Sequence, residues 1–496
     1  MKIEQLLERI SYTLVQGDEE KEITGICHDN RVVKEGDAFI CIKGARFDTH
    51  NGVKEIAAKG AALIVVEREV EAVEGAAVVL VEDTRKVLPL LACAWYGYPA
   101  EKMTTIGITG SKGKTTATHM LADILRSGGY QVGTIGTNGA IIGEEIYELN
   151  NTTPDPMELQ MYLGMMAKAG CTHVVIEVSS QGMKQHRVDG FTFDYSIWTN
   201  ISEGDHIGPN EHADFAEYLA CKAQLISQSR LGFVNRDDAH ADAFLAQVTS
   251  PCQLYSVGGE ADYSASQVEK TFADGKPGLA FHVTGKNGLD ADIAVNQPGE
   301  FNVYNALAAI CVADAIGVTP EQMNCALTQM NIKGRFDIVY DSEEFKVCVD
   351  FAHNGYSTRN HLEALREYRP KRLVCIFGAD GNRSKSRRYE MGEAAGRLAD
   401  FSIVTAGHNR WETFEQILAD IHVGLDKTEG SYIVIPKRQD AIRYAITHAQ
   451  PGDLITILGL GHETYQEEGG VKYPHSDTEF VKQVVRELGL LDCVIK

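Results

Sequence analysis

Lys114, Thr115 and Thr116 directly follow a short glycine-bounded turn, Gly110-Ser111-Lys112-Gly113, and that order of residues is suited to gripping phosphate. The β-branched run Thr104 to Thr109 ahead of it reads as a buried strand. Lys114-Thr115-Thr116 open a helix expected to continue to about Arg126. In such a strand–turn–helix unit, backbone N–H groups and the positive end of the helix dipole converge on an anion. Lys114 would meet the outer phosphates and the Thr115 hydroxyl would bind Mg²⁺. The common form of the loop has a glycine five residues before Gly113. Here that place holds Ile108 and the glycine is Gly110, so the pattern is a shorter Gly-x-x-Gly-Lys-Thr-Thr.

Further groups able to do chemistry follow in order. Glu177 closes the apolar run His173-Val-Val-Ile-Glu-Val178, ahead of Ser179-Ser180. A carboxylate at the carboxyl end of a parallel strand faces the crevice where α/β sheets bind ligands, and it suits a second hard cation; a solvated strand-end Glu is the plainer reading. His206, in Asp205-His206, follows another strand end, where a lone His is more often structural than a ligand. Thr152-Thr153-Pro154 after Asn150-Asn151 fits phosphate or sugar contacts and an ordinary turn equally well. In Gln185-His186-Arg187, the Arg offers a forked donor for a carboxylate or phosphate.

The elements that must position these groups alternate strand and helix. Residues 1 to about 100 read as a small α/β domain, with strands in Val32–Ile42 and Ala61–Val66. Residues 101 to 330 carry the phosphate loop, strands at 173–178 and Tyr195–Asn200, and a helix over Ala213–Gln228. An antiparallel addition is expected within 260–300, and a further helix from Phe301. From 331 onward, strands are expected at Lys346–Phe351, Arg372–Phe377, Phe401–Thr405, Tyr432–Ile435 and Leu454–Leu458, after a hinge-like turn Asn331-Ile-Lys-Gly334. This alternation predicts parallel sheets with helices on both faces.

A chain of 496 residues has room for about three domains of ~150 residues. Its net charge of −22 argues against broad nucleic-acid binding, but leaves room for a local basic pocket that takes an anionic small molecule. The eleven cysteines are scattered with no Cys-x-x-Cys pair, as expected of buried free thiols in a reducing compartment. The N-terminal Ile3, Leu6, Leu7 and Ile10 fall at helical spacing, and charges between them break any signal-peptide core. No run nears the ~18–20 apolar residues of a membrane span, so a soluble, cytoplasmic protein is expected.

In order, Gly-Ser-Lys-Gly-Lys-Thr-Thr, Asn-Thr-Thr-Pro, Glu-Val-Ser-Ser, Gln-His-Arg, Asn-Ile-Ser with Asp-His, and Tyr218-x₃-Lys222 closely resemble the Mur ligases, and within them the MurE type. The resemblance covers nearly the whole chain. It implies three α/β domains: a small N-terminal one for a UDP-sugar (1–100), a central phosphate-loop ATPase domain with a parallel sheet (101–330), and a Rossmann-like C-terminal one for an amino acid (331–496). Asp29-Asn30-Arg31, Gly36-Asp37 and Asp48-x-His50 look like the uridine domain, with Asn30 where the family usually has Ser. Asn151, Thr152, Thr153, Ser179, Gln185 and Arg187 would contact the UDP-sugar. Asn305, in Phe301-Asn-Val-Tyr-Asn305, together with Arg335, Asp350 and His353, would join the loop residues at ATP.

Lys222 occupies the place of the family's carbamylated lysine. As an N6-carboxylysine it would bind Mg²⁺ with His206, while Thr115 and Glu177 hold metal nearer the loop; Lys114, Glu177, His206 and Lys222 are the implied catalytic set. A free ammonium there would repel the cation, whereas a carbamate is an anionic oxygen ligand. Arg383, His408, Arg410, Gly459 and Glu463 would receive the incoming amino acid. Diaminopimelate-selective relatives carry Asp-Asn-Pro-Arg where this chain has Gly407-His-Asn-Arg410, and Gly-Lys-Gly-His-Glu where it has Gly459-Leu-Gly-His-Glu463.

The implied activity is ATP-dependent amide formation in peptidoglycan synthesis, and so in cell-wall biogenesis, cell shape and division. A diamino acid, meso-diaminopimelate favoured over L-lysine, would join UDP-MurNAc-L-Ala-D-Glu through an acyl phosphate, in a monomer. The competing readings are a paralogue with an uncommon amino acid, a folylpolyglutamate synthase-like ligase and a non-catalytic nucleotide-binding regulator.

Overall fold

The computed structural model describes residues 1–490 apart from 45–46, 204–205, 209–210, 274–275 and 331. Asp205 and Asn331, named above, lie outside the described residues. The chain divides into two compact units. One comprises Met1–Ser264, Thr284–Leu289 and Leu307–Met323; the other comprises Ala265–Val283, Asp290–Ala306 and Asn324–Lys496.

Two sheets organise the first unit. The smaller has strands in the order Thr13–Gln16, Ala77–Leu80, Leu63–Val66, Asp37–Ile40 and Gly25–Cys27. Only its first pair is antiparallel. Apolar runs such as Leu63–Val66 are buried on both faces, as a covered parallel sheet requires. The N-terminal helix Ile3–Leu7 packs Ile3, Leu6 and Leu7 onto it.

The larger sheet runs Cys252–Val257, Ser229–Asn235, Phe193–Trp198, Thr104–Thr109, His173–Glu177, Val132–Gly136, then Gly139–Ile142 and Glu145–Tyr147. The first six are parallel to one another. The last two fold back as a meander. The strand of the phosphate loop sits centrally, and the chain leaves it first toward one side and later toward the other. That reversal opens a crevice at the carboxyl ends of the strands.

In the second unit, six strands lie in the order Asp337–Asp341, Phe345–Asp350, Asp453–Leu458, Arg372–Phe377, Phe401–Val404 and Tyr432–Val434. All but the first are parallel to one another, and the first is antiparallel to Phe345–Asp350. Apolar layers cover both faces, with Leu362, Met391 and Ile421 in one and Ile442, Val481 and Val484 in the other. The strand Asp337–Asp341 and the hairpin Tyr465–Glu468/Val471–Pro474 are additions that the strand–helix alternation did not predict.

A buried charge cluster fastens this unit. Arg438 donates through Nε and Nη2 to the two oxygens of Asp477, each at 2.7 Å, and both side chains are fully buried. Arg438 Nη2 also donates to Leu458 O at 2.8 Å, and His475 Nε2 lies 2.8 Å from Asp477. Burial alone would push the Asp477 carboxyl up; Arg438 and His475 outweigh it and hold the group well below the carboxylate range. Because the folded pKa is depressed, the stabilisation is present above the unfolded value of about 4 and is lost as pH falls below it. Asp477→Ala leaves a buried guanidinium without its carboxylate and should cost about 3–5 kcal/mol at neutral pH. Urea unfolding followed from pH 7 to pH 3 should show the variant's deficit shrinking as pH falls; equal midpoints at pH 7 would contradict this account.

Candidate functional site

The turn after strand Thr104–Thr109 has the geometry of a phosphate loop. Gly113 precedes helix Lys114–Ser127 in a left-handed conformation (φ 85°) that favours glycine. At Gly110 a Cβ would stand 1.9 Å from Thr199 Oγ1, so only glycine fits. The next strand end clamps the loop. Asn200 Oδ1 accepts from Lys112 N at 2.9 Å, its Nδ2 donates to Lys112 O at 3.1 Å, and Ser111 N donates to Asn200 O at 2.9 Å. Lys114 Nζ donates to Gly110 O at 2.8 Å.

Glu177 is buried one strand away. Its Oε2 accepts from Thr115 Oγ1 at 2.9 Å and Thr137 Oγ1 at 3.1 Å, and its Oε1 accepts from Thr137 N at 3.0 Å. A Cβ at Gly136 would fall 2.2 Å from Oε1, so the neighbouring strand must end in glycine. Thr115 and Glu177 therefore present adjacent hard oxygens beside the loop. That donor chemistry fits Mg²⁺, which takes one or two protein ligands and completes its shell with water and substrate phosphate. Among the described residues, no three His, Cys, Asp or Glu side chains converge as a preformed cage.

Thr152, Thr153, Ser179, Gln185 and Arg187 gather beside Glu177. Thr153 Oγ1 donates to Glu177 O at 2.9 Å and accepts from Ser179 N at 2.9 Å, while Thr152 Oγ1 lies 3.3 Å from Thr137 Oγ1. Arg187 donates to Thr153 O at 2.5 Å and through Nη2 to Gln185 Oε1 at 2.8 Å. Burial, partly opposed by Asp155, lowers the Arg187 pKa from its usual value. His28 of the first sheet's domain lies 3.5 Å from Asp155 in this cluster. Asn30 sits two residues on from His28, with its carbonyl accepting from Lys59 Nζ. Asn151 is exposed.

Helix Phe215–Ser227 brings Tyr218 and Lys222 to the loop. Tyr218 Oη lies 2.8 Å from Ser111 Oγ, and Lys222 Nζ, on a side chain that is 1% exposed, lies 4.7 Å from the Tyr218 ring centre. His206 approaches the same ring at 5.9 Å and has Glu211 at 3.3 Å. Partial desolvation of the His206 ring, then the cation of Lys114, holds its pKa below 6.5 against the pull of Glu211. His212, which the sequence did not single out, packs on Tyr218 at 5.2 Å and is completely buried. Burial lowers its pKa, with Glu217 opposing.

In the second unit, Asp350, His353, Arg383, His408, Arg410, Gly459 and Glu463 lie at or after the carboxyl ends of parallel strands, whereas Asn305 is on the helix Phe301–Ile316 and Arg335 precedes the strand Asp337–Asp341. Asp350 accepts from Phe336 N at 2.9 Å and Ala352 N at 2.8 Å, fixing the turn that carries Arg335 and His353. The Arg335 guanidinium lies 4.9 Å from the Phe351 ring centre. Asn305 donates to Asn302 Oδ1 at 3.0 Å.

A second cluster gathers Gly459, Glu463, His408, Arg410 and the loop of Arg383. Glu467 N donates to His408 Nδ1 at 3.0 Å. The neutral ring therefore carries its proton on Nε2, which points 2.8 Å from Glu463 Oε2. Arg410, at φ 52°, holds Asp380 at 3.3 Å and stands 3.8 Å from Glu467. Arg383 is exposed on a loop tied to the Arg410 segment by Gly381 N to His408 O at 2.7 Å and Trp411 N to Asn382 Oδ1 at 3.0 Å. Beneath them the buried Arg388 bonds Asp420 at 2.8 Å, Asp380 O at 3.0 Å and Glu412. Thr137, Arg388 and Glu467 escaped sequence reasoning, and Asn200 was read only as a strand end and part of the Asn-Ile-Ser motif, because each acts on a partner many residues away.

Three family models match the chain: the Mur ligase family, catalytic domain over residues 22–96; the Mur ligase middle domain over 108–313; and the Mur ligase, glutamate ligase domain over 334–461. The UDP-N-acetylmuramoyl-L-alanyl-D-glutamate–2,6-diaminopimelate ligase of Caldanaerobacter subterraneus subsp. tengcongensis is 37% identical over 98% of this chain and 99% of its own. The like-named protein of Aquifex aeolicus is 36% identical over 94% of each. A solved structure of a UDP-N-acetylmuramoyl-L-alanyl-D-glutamate–2,6-diaminopimelate ligase superposes with a TM-score of 0.71 at 26% identity, covering 99% of both chains. With the phosphate loop, the buried strand-end Glu177 and end-to-end likeness in agreement, the chain belongs to the Mur ligase family of ATP-dependent amino-acid ligases, in its three-domain α/β fold and of the MurE type.

Proposed function

We propose that this protein joins a diamino acid, meso-diaminopimelate in the first instance, to the D-glutamate carboxylate of UDP-MurNAc-L-Ala-D-Glu at the expense of ATP. The observation that carries the reading is the Thr115–Glu177 pair, 2.9 Å apart beside a phosphate loop, in a chain whose full-length relatives bear that activity in their names.

A carboxylate is a poor acyl donor, because oxide is a poor leaving group. Phosphorylation turns that oxygen into phosphate, and the amine nitrogen then adds to the acyl carbon and phosphate departs. Residues 1–100 bind the uridine end, with Asn30 in that role, and 101–330 bind ATP. Residues 331–496 receive the amino acid, and Asn305, Arg335, Asp350 and His353 have the role of nucleotide contacts. Loop N–H groups from Gly110 to Thr116 and the Lys114 ammonium hold the phosphates and neutralise charge as the γ-phosphoryl moves. Asn151, Thr152, Thr153, Ser179, Gln185 and Arg187 orient the muramyl peptide so that its carboxylate meets that group in line. Thr115, Glu177, His206 and the carbamate of Lys222 would hold Mg²⁺, which when bound offsets phosphate charge.

Arg383 pairs with the α-carboxylate of the amino acid. Glu463, oriented by His408, accepts an ammonium hydrogen bond, and Arg410 with the Gly459 turn shapes the far end of the pocket. A phosphate-release assay with ATP, Mg²⁺, UDP-MurNAc-L-Ala-D-Glu and a panel of amino acids tests the reading. Release is expected with meso-diaminopimelate; turnover with L-lysine alone would move the substrate, and no release with any amine would end the proposal.

Two substitutions bear on the parts. Glu177→Gln removes a metal oxygen's charge while keeping the Thr115 contact, and should lower kcat about 10²–10³-fold, as loss of one electrostatic stabiliser does. Lys222→Ala should abolish ligation, and small carboxylic acids supplied in the buffer should restore part of it. Full activity in the unsupplemented Ala variant would contradict the carbamate role.

A further inference from the structure

His212, near the phosphate loop, is an imidazole whose chemistry is unaccounted for. Its side chain is wholly buried, yet among the described residues neither Nδ1 nor Nε2 has a hydrogen-bond partner. The nearest carboxylate oxygen, Glu217 Oε2, stands 3.7 Å from Nδ1 and already accepts from Ala213 N at 2.7 Å and Lys184 Nζ at 3.0 Å. A buried imidazole left in that state loses its hydration with nothing in return, so it marks a place where a polar group belongs. The backbone holds it firmly: His212 N donates to His206 O at 3.0 Å, and Gly208 N donates to His212 O at 3.1 Å.

His212 and Lys222 share one neighbour, Tyr218. His212 packs on that ring at 5.2 Å between centres, and Lys222 Nζ lies 4.7 Å from the same centre. We propose that His212 is the positioning residue of the Lys222 modification site, a ring N–H of the imidazole donating to an oxygen of the carbamate. The proposal rests on the carbamate reading above. The groups facing His212 are Glu217, Lys184, His206 and Lys222, and an imidazole has at least one ring N–H to give in either protonation state.

The step balances without any further reagent. Lys222 ammonium loses a proton to solvent, the Nζ lone pair adds to the carbon of CO₂ as one C–O π bond opens onto oxygen, and a second N–H proton leaves. The product is a secondary N–H with a CO₂⁻ group. A charge-assisted hydrogen bond from a buried donor favours that anion over free amine and CO₂.

The test uses the full chain equilibrated with ¹³C-bicarbonate at fixed pH, with the carbamate carbon read by ¹³C NMR. Lys222→Met assigns the resonance by removing it. His212→Phe keeps the ring's packing on Tyr218 without a donor, and should raise the bicarbonate needed for half occupancy about tenfold, whereas His212→Gln, which restores an N–H, should recover much of the loss. His212→Leu replaces the Phe variant if thermal melting shows that the latter is unfolded. An unchanged bicarbonate titration in the donor-free variant overturns the role of His212. A wild-type chain with no resonance that depends on Lys222 overturns the carbamate reading itself, and the two failures are distinct.

Discussion

The buried carboxylate of Glu177 is the interaction on which the nucleotide end of this molecule depends. Two stretches far apart in sequence meet on it, Thr115 at the head of the loop helix and Thr137 after the neighbouring strand, while the Thr153 hydroxyl holds the main-chain carbonyl of Glu177. A carboxylate at 1% exposure is costly unless its lone pairs are filled, and here hydroxyl and amide donors fill them. Strand register makes the meeting possible, since Glu177 pairs with Ile108 on the loop's own strand and Ile176 with Ile135 on the other side. A one-residue slip would turn the carboxylate to the opposite face. Gly136 leaves the space, so the site is specified as much by a missing Cβ as by any charged group.

The second unit obeys the same rule. Asp350, the Gly378–Arg383 loop, the Thr405–Arg410 loop and the Gly459–Glu463 loop leave the carboxyl ends of four parallel strands that stand side by side. Loops there are free to vary because the sheet beneath is fixed. Arg438 ties two of these loops together: it bonds Leu458 O at the root of one and lies 3.4 Å from Ala406 O at the root of another, while Asp477 neutralises it. His408 and Glu463, one on each loop, can then keep a 2.8 Å contact without either loop being held from outside.

What could be read from the residues in order was whatever depends on neighbours in sequence. The strand Thr104–Thr109 and the start of its helix at Lys114 fall where the β-branched run and the glycine turn put them, and Arg372–Phe377 matches its apolar run. Other strands end a residue or two away from expectation, as hydrogen-bond registers override local propensity. The meander Gly139–Tyr147 was not foreseen: its strands are short, and their pairing with Val132–Gly136 is visible only in space. The contacts that Thr137 and Asn200 make were hidden for the same reason. A threonine after a strand and an asparagine before Ile-Ser are ordinary residues until the carboxylate or the loop they hold is brought to them.

The acidity of the whole chain, −22, sits beside a site meant for polyanions, and the two are reconciled by range. Exposed carboxylates more than about 8–10 Å away are screened by salt, whereas a loop's N–H groups, a helix end and a lysine within hydrogen-bond distance are not. Local chemistry therefore sets the sign at the phosphates. By the same logic a fully buried Lys222 beside the loop is a large local charge whose sign matters more than any on the surface. Converting it on the proposed reading from ammonium to carbamate moves the local balance by two charges, from repelling a cation to binding one. A fixed Asp or Glu would offer the anion permanently; a lysine offers it only when CO₂ has added, which makes the occupancy of that modification, and the partner that His212 would supply for it, the variable that decides whether the metal side of the site is assembled.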